Sequence, residues 1–490
     1  MQKKGKKHLL KVLLMAASLA VTTNSAPVFA AEAENSTPAP EQEEPAVPET
    51  YELEIQSNKI PGWPEGPKVI ARTAILMDID TGEILYAKGI DEKCAPASIT
   101  KIMTAMLAIE KVPLDTQITF TKEVWNIEKD STHIGIQPGE ILTMQDSLYG
   151  ILLGSANEVS SGVAEYIGGT VPAFIEMMNQ RAKDLGCENT HFVNANGLYH
   201  EDHYTTARDF ALISRAAFQN ETFRNIIKTP YYIIPKTNLA DEERWINNHH
   251  KMLTEGDNFY EGCLGGKTGY TEKANNTLVT YAERNNMRFV CVVLDDVGSH
   301  YDDTRAILDY GFNSFEKVSP SPESLKEDAP DSLISYLKQQ GLLTVPLQST
   351  LVEIPSGKSR ELTCKAALNN DKLEIDCYYG ETHLVRTSLD ASQEILDAVQ
   401  SLNQTENPVQ TEPESKPEEP APQPAVTSEP EDSLDGFWEE AFATFKELPD
   451  WKYAAAALLF AAFIFYIVLF IVKIKRSLKR RRKKKLRNKQ

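Results

Sequence analysis

Acidic residues are absent from both ends of this 490-residue chain, and basic residues are scarce between those ends. The first thirty residues hold five lysines and no acid, and the stretch after Lys452 holds twelve bases and no acid. Setting these aside from totals of 51 bases and 70 acids leaves 34 bases against 70 acids over residues 31–452. So acidic a segment cannot be held on nucleic acid by neutralising phosphates, which excludes DNA and RNA as partners. Cysteine is scarce too, at six residues. Only Cys364 and Cys377, which flank a predicted hairpin, make a candidate disulfide, and Cys291 inside an apolar strand reads as a buried free thiol. Wholesale disorder is excluded, because 41% of residues are hydrophobic and the length suffices for two or three domains.

The basic ends coincide with two apolar runs. Lysines 3, 4, 6 and 7 precede an apolar run from Leu9 to about Val21, and small residues surround Ala30. That order predicts a secretory signal peptide over 1–30. Residues 454–472 are nineteen positions without a charge, and as a helix they would span ~28 Å at ~1.5 Å per residue. This approaches the ~30 Å hydrocarbon core and predicts a transmembrane helix. Trp451 and Tyr453 stand at one interface, and the basic tail 473–490 belongs in the cytoplasm, which leaves the rest of the mature chain outside. Before the span, Leu434, Phe437, Trp438, Ala441, Phe442 and Phe445 mark one apolar helical face within 434–447. This helix either lies on the bilayer or packs on the protein.

Between the ends, composition divides the chain. Residues 31–59 are an acidic, proline-rich lead-in, and 403–433 repeat that composition as a stiff spacer. A shorter break at 319–331 separates a large block, 60–316, from a small one, 332–402. In the large block, strand-like runs flank Asp80-Thr81-Gly82 and return at Asn276–Tyr281 and Arg288–Leu294, with helical patterns between them over Ile99–Ile109 and Gln145–Ile167. This predicts an α+β fold in which helices cover an antiparallel sheet. The small block reads as mostly short strands, a β-rich accessory domain.

Three short signals in the large block carry chemistry. Ser98-Ile99-Thr100-Lys101 places a hydroxyl and an amine one turn apart at a helix start, where the dipole favours developing negative charge. A lysine in an apolar site loses its proton readily and becomes a base. Ser155-Ala156-Asn157 offers a hydroxyl to pass a proton and an amide to grip a peptide group. Lys267-Thr268-Gly269 offers a carboxylate clamp on a strand, with a glycine that permits close approach. Ser314–Lys317, Ser335–Lys338 and Ser401-Leu402-Asn403 show that the first two patterns also arise by accident. All three in this order match the serine–lysine acyl-transfer set of penicillin-binding proteins and β-lactamases.

With Phe192-Val193-Asn194-Ala195-Asn196-Gly197-Leu198, Tyr204–Asp209 and Gly265–Thr271 added, the large block resembles the low-molecular-mass D-alanyl-D-alanine carboxypeptidases of serine peptidase family S11. The resemblance implies a penicillin-binding, transpeptidase-like fold and cleavage of peptidoglycan stem peptides with no metal or organic cofactor. It also implies covalent capture by β-lactams. Ser98 would be the nucleophile, Lys101 the base and Ser155 the proton relay. Asn157 would hold the substrate amide, and Lys267 and Thr268 would hold the terminal carboxylate beside Gly269. The N–H groups of Ser98 and Tyr270 would form the oxyanion hole.

Two departures from the family pattern stand out. Only Arg305 is available after the strand that follows Lys267, where family members carry a carboxylate-binding arginine, and Asn275 and Asn276 replace smaller residues beside Ala274. Rival readings are a β-lactamase, which needs a Glu-x-x-x-Asn loop between Asn157 and Lys267 that is not found, and a non-catalytic scaffold. A zinc site at His200-Glu201-Asp202-His203 falls one residue short of the helical His-Glu-x-x-His spacing.

Overall fold

The computed structural model describes residues 48–326 and 333–406. The predicted signal peptide, most of the lead-in, nearly all of the 403–433 spacer, the 434–447 helix, the 454–472 span and the basic tail lie outside the described residues. Among the described residues no helix is long and apolar enough to cross a membrane.

The strands are β1 Thr73–Asp78, β2 Ile84–Lys88, β3 Gln117–Thr119, β4 Ile141–Thr143, β5 Tyr231–Ile234, β6 Arg244–Asn247, β7 Cys263–Thr271, β8 Asn275–Arg284 and β9 Met287–Asp296 in the large block. Its helices are α1 Lys101–Lys111, α2 Met144–Leu152, α3 Asn157–Gly168, α4 Val171–Asp184, α5 Ala207–Phe218, α6 Glu221–Ile227 and α7 His300–Ser314. A five-stranded antiparallel sheet of order β2-β1-β9-β8-β7 forms the middle layer. Its central strand alternates between two cores. Val290, Val292 and Leu294 face one apolar cluster with α1, α2 and α5, while Phe289, Cys291 and Val293 face another with Ile307 and Leu308 of α7. Both faces are covered, so the strand reads as a continuous apolar run. Each such side chain contributes about 1.5–3 kcal/mol by leaving water.

Asp80–Gly82 turns β1 into β2 as predicted, and Asn285 and Asn286, both at positive φ, make the tight turn between β8 and β9. The helical pattern predicted over Gln145–Ile167 is in fact two helices. Thr143 caps α2 by accepting from the Asp146 N–H at 3.0 Å, and the chain then breaks at Leu153–Ala156 before α3. Ser155 sits in that break with φ +57°. Apolar periodicity runs through both helices, which is why the sequence pattern hides the interruption.

The lead-in boundary also shifts. Residues 48–59 belong to the folded block: Ile55 is buried and bridges to Lys88, while the Thr50 hydroxyl donates to the Ile70 carbonyl at 2.6 Å. Proline and glutamate dominate 31–50, but the apolar anchors begin just after them.

The small block is not mostly strand. A three-stranded meander, β12 Leu362–Asn369, β13 Lys372–Tyr379 and β14 Thr382–Asp390, is accompanied by α8 Leu333–Gln339, α9 Thr344–Ser349 and α10 Gln393–Glu406. Cys364 and Cys377 are directly opposed on β12 and β13 and form the predicted disulfide. Nor is the block separate in space. The chain leaves α7 as β10 Phe315–Val318, which pairs with β11 Val352–Pro355. Trp63 of the large block packs against Phe315 at 5.0 Å and Tyr379 at 6.1 Å between ring centroids.

Candidate active site

The nucleophile turn is a single 3-10 turn, Ala97–Thr100, feeding α1. Ala97 adopts φ +51°, which turns the chain sharply before Ser98. Lys101 is fully buried, and its Nζ reaches three oxygens: Ser98 Oγ at 3.0 Å, Asn157 Oδ1 at 2.6 Å and the Asn196 carbonyl at 2.5 Å. None of the three is a carboxylate. Burial, and then the nearby Lys267 charge, push the Lys101 amine well below its ordinary range.

Each acceptor has its own support. Asn157 opens α3, and its N–H donates to the Thr132 carbonyl at 3.0 Å. Its neighbour Glu158 is buried and accepts from the N–H groups of Ile134 and Gly135 at 2.7 and 3.0 Å, which fixes the loop carrying Thr132. The Asn196 carbonyl is presented by a turn in which Asn194 Oδ1 accepts from the Gly197 N–H at 2.7 Å. Gly197 (φ +89°) passes so close to Ala97 that a Cβ there would lie 1.9 Å from its carbonyl oxygen. Thr104 ties α1 to the same loop through Ala195 at 2.6 Å.

The Tyr204–Asp209 motif is structural: Thr206 caps α5, and Asp209 accepts from Asn189 and Thr190 at 2.7 and 2.8 Å. His203 is buried between the Thr100 hydroxyl, 2.9 Å from Nε2, and the Val193 N–H, which donates to Nδ1 at 3.1 Å. It is neutral, with burial pushing it down to about 3. Among the described residues there is no group of side chains suited to a metal ion; the His200 carbonyl accepts from the His203 N–H at 2.9 Å, while the His200 ring is exposed and the His203 ring buried.

Strand β7 closes the site. A Cβ on Gly269 would lie 2.8 Å from the Ser98 nitrogen and 2.4 Å from Thr277 Oγ1, so only glycine lets the strand approach the nucleophile turn. Thr277 in turn donates to the Pro96 carbonyl at 2.9 Å, locking β8 to the same turn. Lys267 is buried on the same face of β7 as Gly269; its Nζ donates to the Thr268 carbonyl at 2.8 Å, and burial lowers it to about 7.

Ser98, Ser155, Thr268, Gly269 and Tyr270 line one cleft of about 570 Å3. Lys101, Asn157 and Lys267 are buried beside it, and Lys101 ties Asn157 to Ser98. Sequence reasoning missed a further wall, where His249 and Lys251 of the β6–β7 loop meet Tyr301 of α7. Lys251 is exposed to the cleft, while Arg305 points elsewhere: it donates to the Phe259 carbonyl at 3.1 Å and lies over Tyr260. Asn276 lines the cleft and braces β9 by donating to the Asp296 carbonyl at 3.0 Å, and Asn275 takes the positive φ of the β7–β8 turn.

Such a buried amine held on a serine between two further motif walls defines a serine acyl-transfer centre on a penicillin-binding, transpeptidase-like α+β fold. The fold matches that of penicillin-binding protein 6B of Escherichia coli, with TM-score 0.53, 23% identity, and coverage of 68% of this chain and 98% of that one. The family model for D-alanyl-D-alanine carboxypeptidase, peptidase family S11, matches residues 61–298. Two similar curated proteins are D-alanyl-D-alanine carboxypeptidases: DacF of Bacillus subtilis, 33% identical over 50% of this chain and 63% of its own length, and DacB2 of Mycobacterium tuberculosis, 31% identical over 51% of this chain and 84% of its own. The chain belongs to the peptidase S11 family, although its match spans less than two thirds of the Bacillus subtilis relative.

Proposed function

We propose that this protein is a serine D-alanyl-D-alanine carboxypeptidase that removes the terminal D-Ala from peptidoglycan stem pentapeptides and is acylated by β-lactams at the same serine. The observation that carries this reading is the buried Lys101 amine, 3.0 Å from Ser98 Oγ with no carboxylate among its acceptors. A neutral amine there takes the Ser98 proton as Oγ bonds to the carbonyl carbon of the penultimate D-Ala. The carbonyl electrons move onto oxygen, opposite the N–H groups of Ser98 and Tyr270. Collapse breaks the C–N bond, and the departing amine takes the proton back from Lys101 through the Ser155 hydroxyl. Water then attacks the ester, gives its proton to Lys101, and frees Ser98 and the shortened stem.

Asn157 holds the substrate amide with its side-chain N–H, since its oxygen is engaged by Lys101. Thr268 and Gly269 frame the terminal carboxylate, and Lys251 supplies the cleft's exposed positive charge. Lys267 acts as a buried neighbour of Lys101. Its charge keeps Lys101 from holding a proton and adds to the field felt by the carboxylate.

Release of D-Ala from a stem pentapeptide tests this. The wild-type protein releases it and gains the mass of a penicillin, whereas Ser98→Ala does neither; unchanged release or labelling by the variant would remove Ser98 from the chemistry.

The basic ends and the apolar stretch 454–472 support a single-pass protein of the cell membrane, catalytic block outside, 403–433 as spacer and 473–490 inside. Protease added to intact cells is then expected to shed the catalytic block and spare the basic tail; a protected catalytic block would refute that orientation.

A further inference from the structure

A second groove, of about 450 Å3, opens beside the catalytic cleft. Its walls are Cys94 and Ala95, which lead into the nucleophile turn; Tyr199 and Glu201, just beyond the loop that presents Asn196; and Lys273, in the turn after β7. Every wall therefore continues an element that holds a catalytic group, yet the mechanism above uses none of these side chains.

The charges in the groove fall into two sets. Arg72 is engaged by Asp295 at 3.0 Å and Glu92 at 3.4 Å, and Lys93 lies over the Tyr204 ring at 4.1 Å. Lys273 and Glu201 have no hydrogen bond or ion pair to any described residue. Tyr199 exposes 47% of its surface, with no ring or cation against it among the described residues. One free cation, one free anion and one bare ring fit a flexible ligand carrying both charges.

The direction of the bound peptide brings it there. With the leaving carboxylate toward Thr268 and Lys251, the upstream chain runs along β7 past Tyr270 and Thr271 toward Lys273. Lys273 lies in the turn that follows β7, two residues past Thr271, and one peptide residue of ~3.5 Å followed by a side chain of ~6 Å extends in that direction.

We propose that this groove receives the side chain of the stem residue immediately before the two D-alanines, and selects a side chain that ends in both an ammonium and a carboxylate. Lys273 takes the carboxylate, Glu201 takes the ammonium, and the Tyr199 ring covers the aliphatic stem. The proposal rests on the carboxypeptidase reading. It makes the groove a selector between stem peptides whose diamino acid bears a side-chain carboxylate and those whose diamino acid is lysine.

Two pentapeptides differing only in that residue, meso-diaminopimelic acid against lysine, are compared for D-Ala release by the full chain. The wild type is expected to favour the diaminopimelate peptide about fivefold in kcat/KM, an effect sized for the one solvent-facing charge contact by which the two peptides differ. Lys273→Ala is expected to bring the ratio to within about twofold of unity and Glu201→Gln to slow both peptides alike, while release from acetylated Ala-D-Ala-D-Ala, which lacks the side chain, stays at the wild-type rate in both variants. Equal rates in the wild type, a preference that survives Lys273→Ala, or rates for both peptides unchanged by Glu201→Gln overturn the groove assignment alone. Failure of the wild type to release D-Ala from any of these peptides overturns the carboxypeptidase reading and the assignment together.

Discussion

Lys101 and Lys317 are both buried lysines, and their surroundings are opposites. Lys317, at the junction of the two blocks, lies 2.9 Å from Asp78 and Asp80 and 3.1 Å from Glu353. Burial works against its charge there, but Glu353 and the two aspartates outweigh it and drive the amine above its ordinary range. Lys101 sits among a serine, an asparagine and a backbone carbonyl, with a second lysine nearby, and is driven down. The direction of a buried lysine's shift is thus set by whether a carboxylate hydrogen-bonds it, more than by depth of burial. Lys267, buried without a carboxylate partner, is likewise lowered, to about 7.

The sharpest way to test the structural half is Lys317→Met, which keeps the stem and removes the charge. Asp78 and Glu353 are then left buried without their cation, at an expected cost of about 3 kcal/mol. Glu353, already raised to about 8 chiefly by burial and then by Asp78, absorbs part of the loss by staying protonated. Chemical denaturation is expected to show the drop, while kcat of the folded fraction and its pH profile stay unchanged. A shifted pH profile would mean that the junction and the active site are electrostatically coupled, and the two lysines could no longer be contrasted as independent cases.

The two environments were unequally legible in the sequence. Ser98 and Lys101 were readable because three residues of helical turn fix their mutual reach. The glycine of Lys267-Thr268-Gly269 was readable because close approach has few other solutions, and the Ser98 nitrogen is what it approaches. The third acceptor on Lys101 was not, because a backbone carbonyl ninety-five residues away leaves no signature in side-chain identity. Lys267 was read as a carboxylate clamp on a strand, and its motif says nothing of how deeply that strand buries it. The wall holding Lys251, His249 and Tyr301 was missed because a loop and a helix start meet only in three dimensions. At the junction, the match of Ser314–Lys317 to the catalytic pattern was rightly discounted, but nothing in it announced the acids that engage Lys317.

The catalytic half of the comparison can be tested by giving Lys101 what Lys317 has. Asn157→Asp keeps an acceptor where Asn157 Oδ1 now lies 2.6 Å from Nζ, but adds a negative charge. The sign is fixed by which form is active. Attack needs the neutral amine, so activity rises as pH climbs through the depressed Lys101 value, and a neighbouring anion moves that value upward. At neutral pH the variant is expected to lose about tenfold in the acylation rate, corresponding to a shift of roughly one pH unit or more. Some activity should return as the pH is raised. Substitution also removes the side-chain N–H offered to the substrate, which weakens binding at every pH, so the discriminating readout is the position of the acidic limb for penicillin acylation. If that limb stays where the wild type has it while activity falls, Asn157 serves the substrate alone, and the absence of a carboxylate beside Lys101 is not what makes it a base.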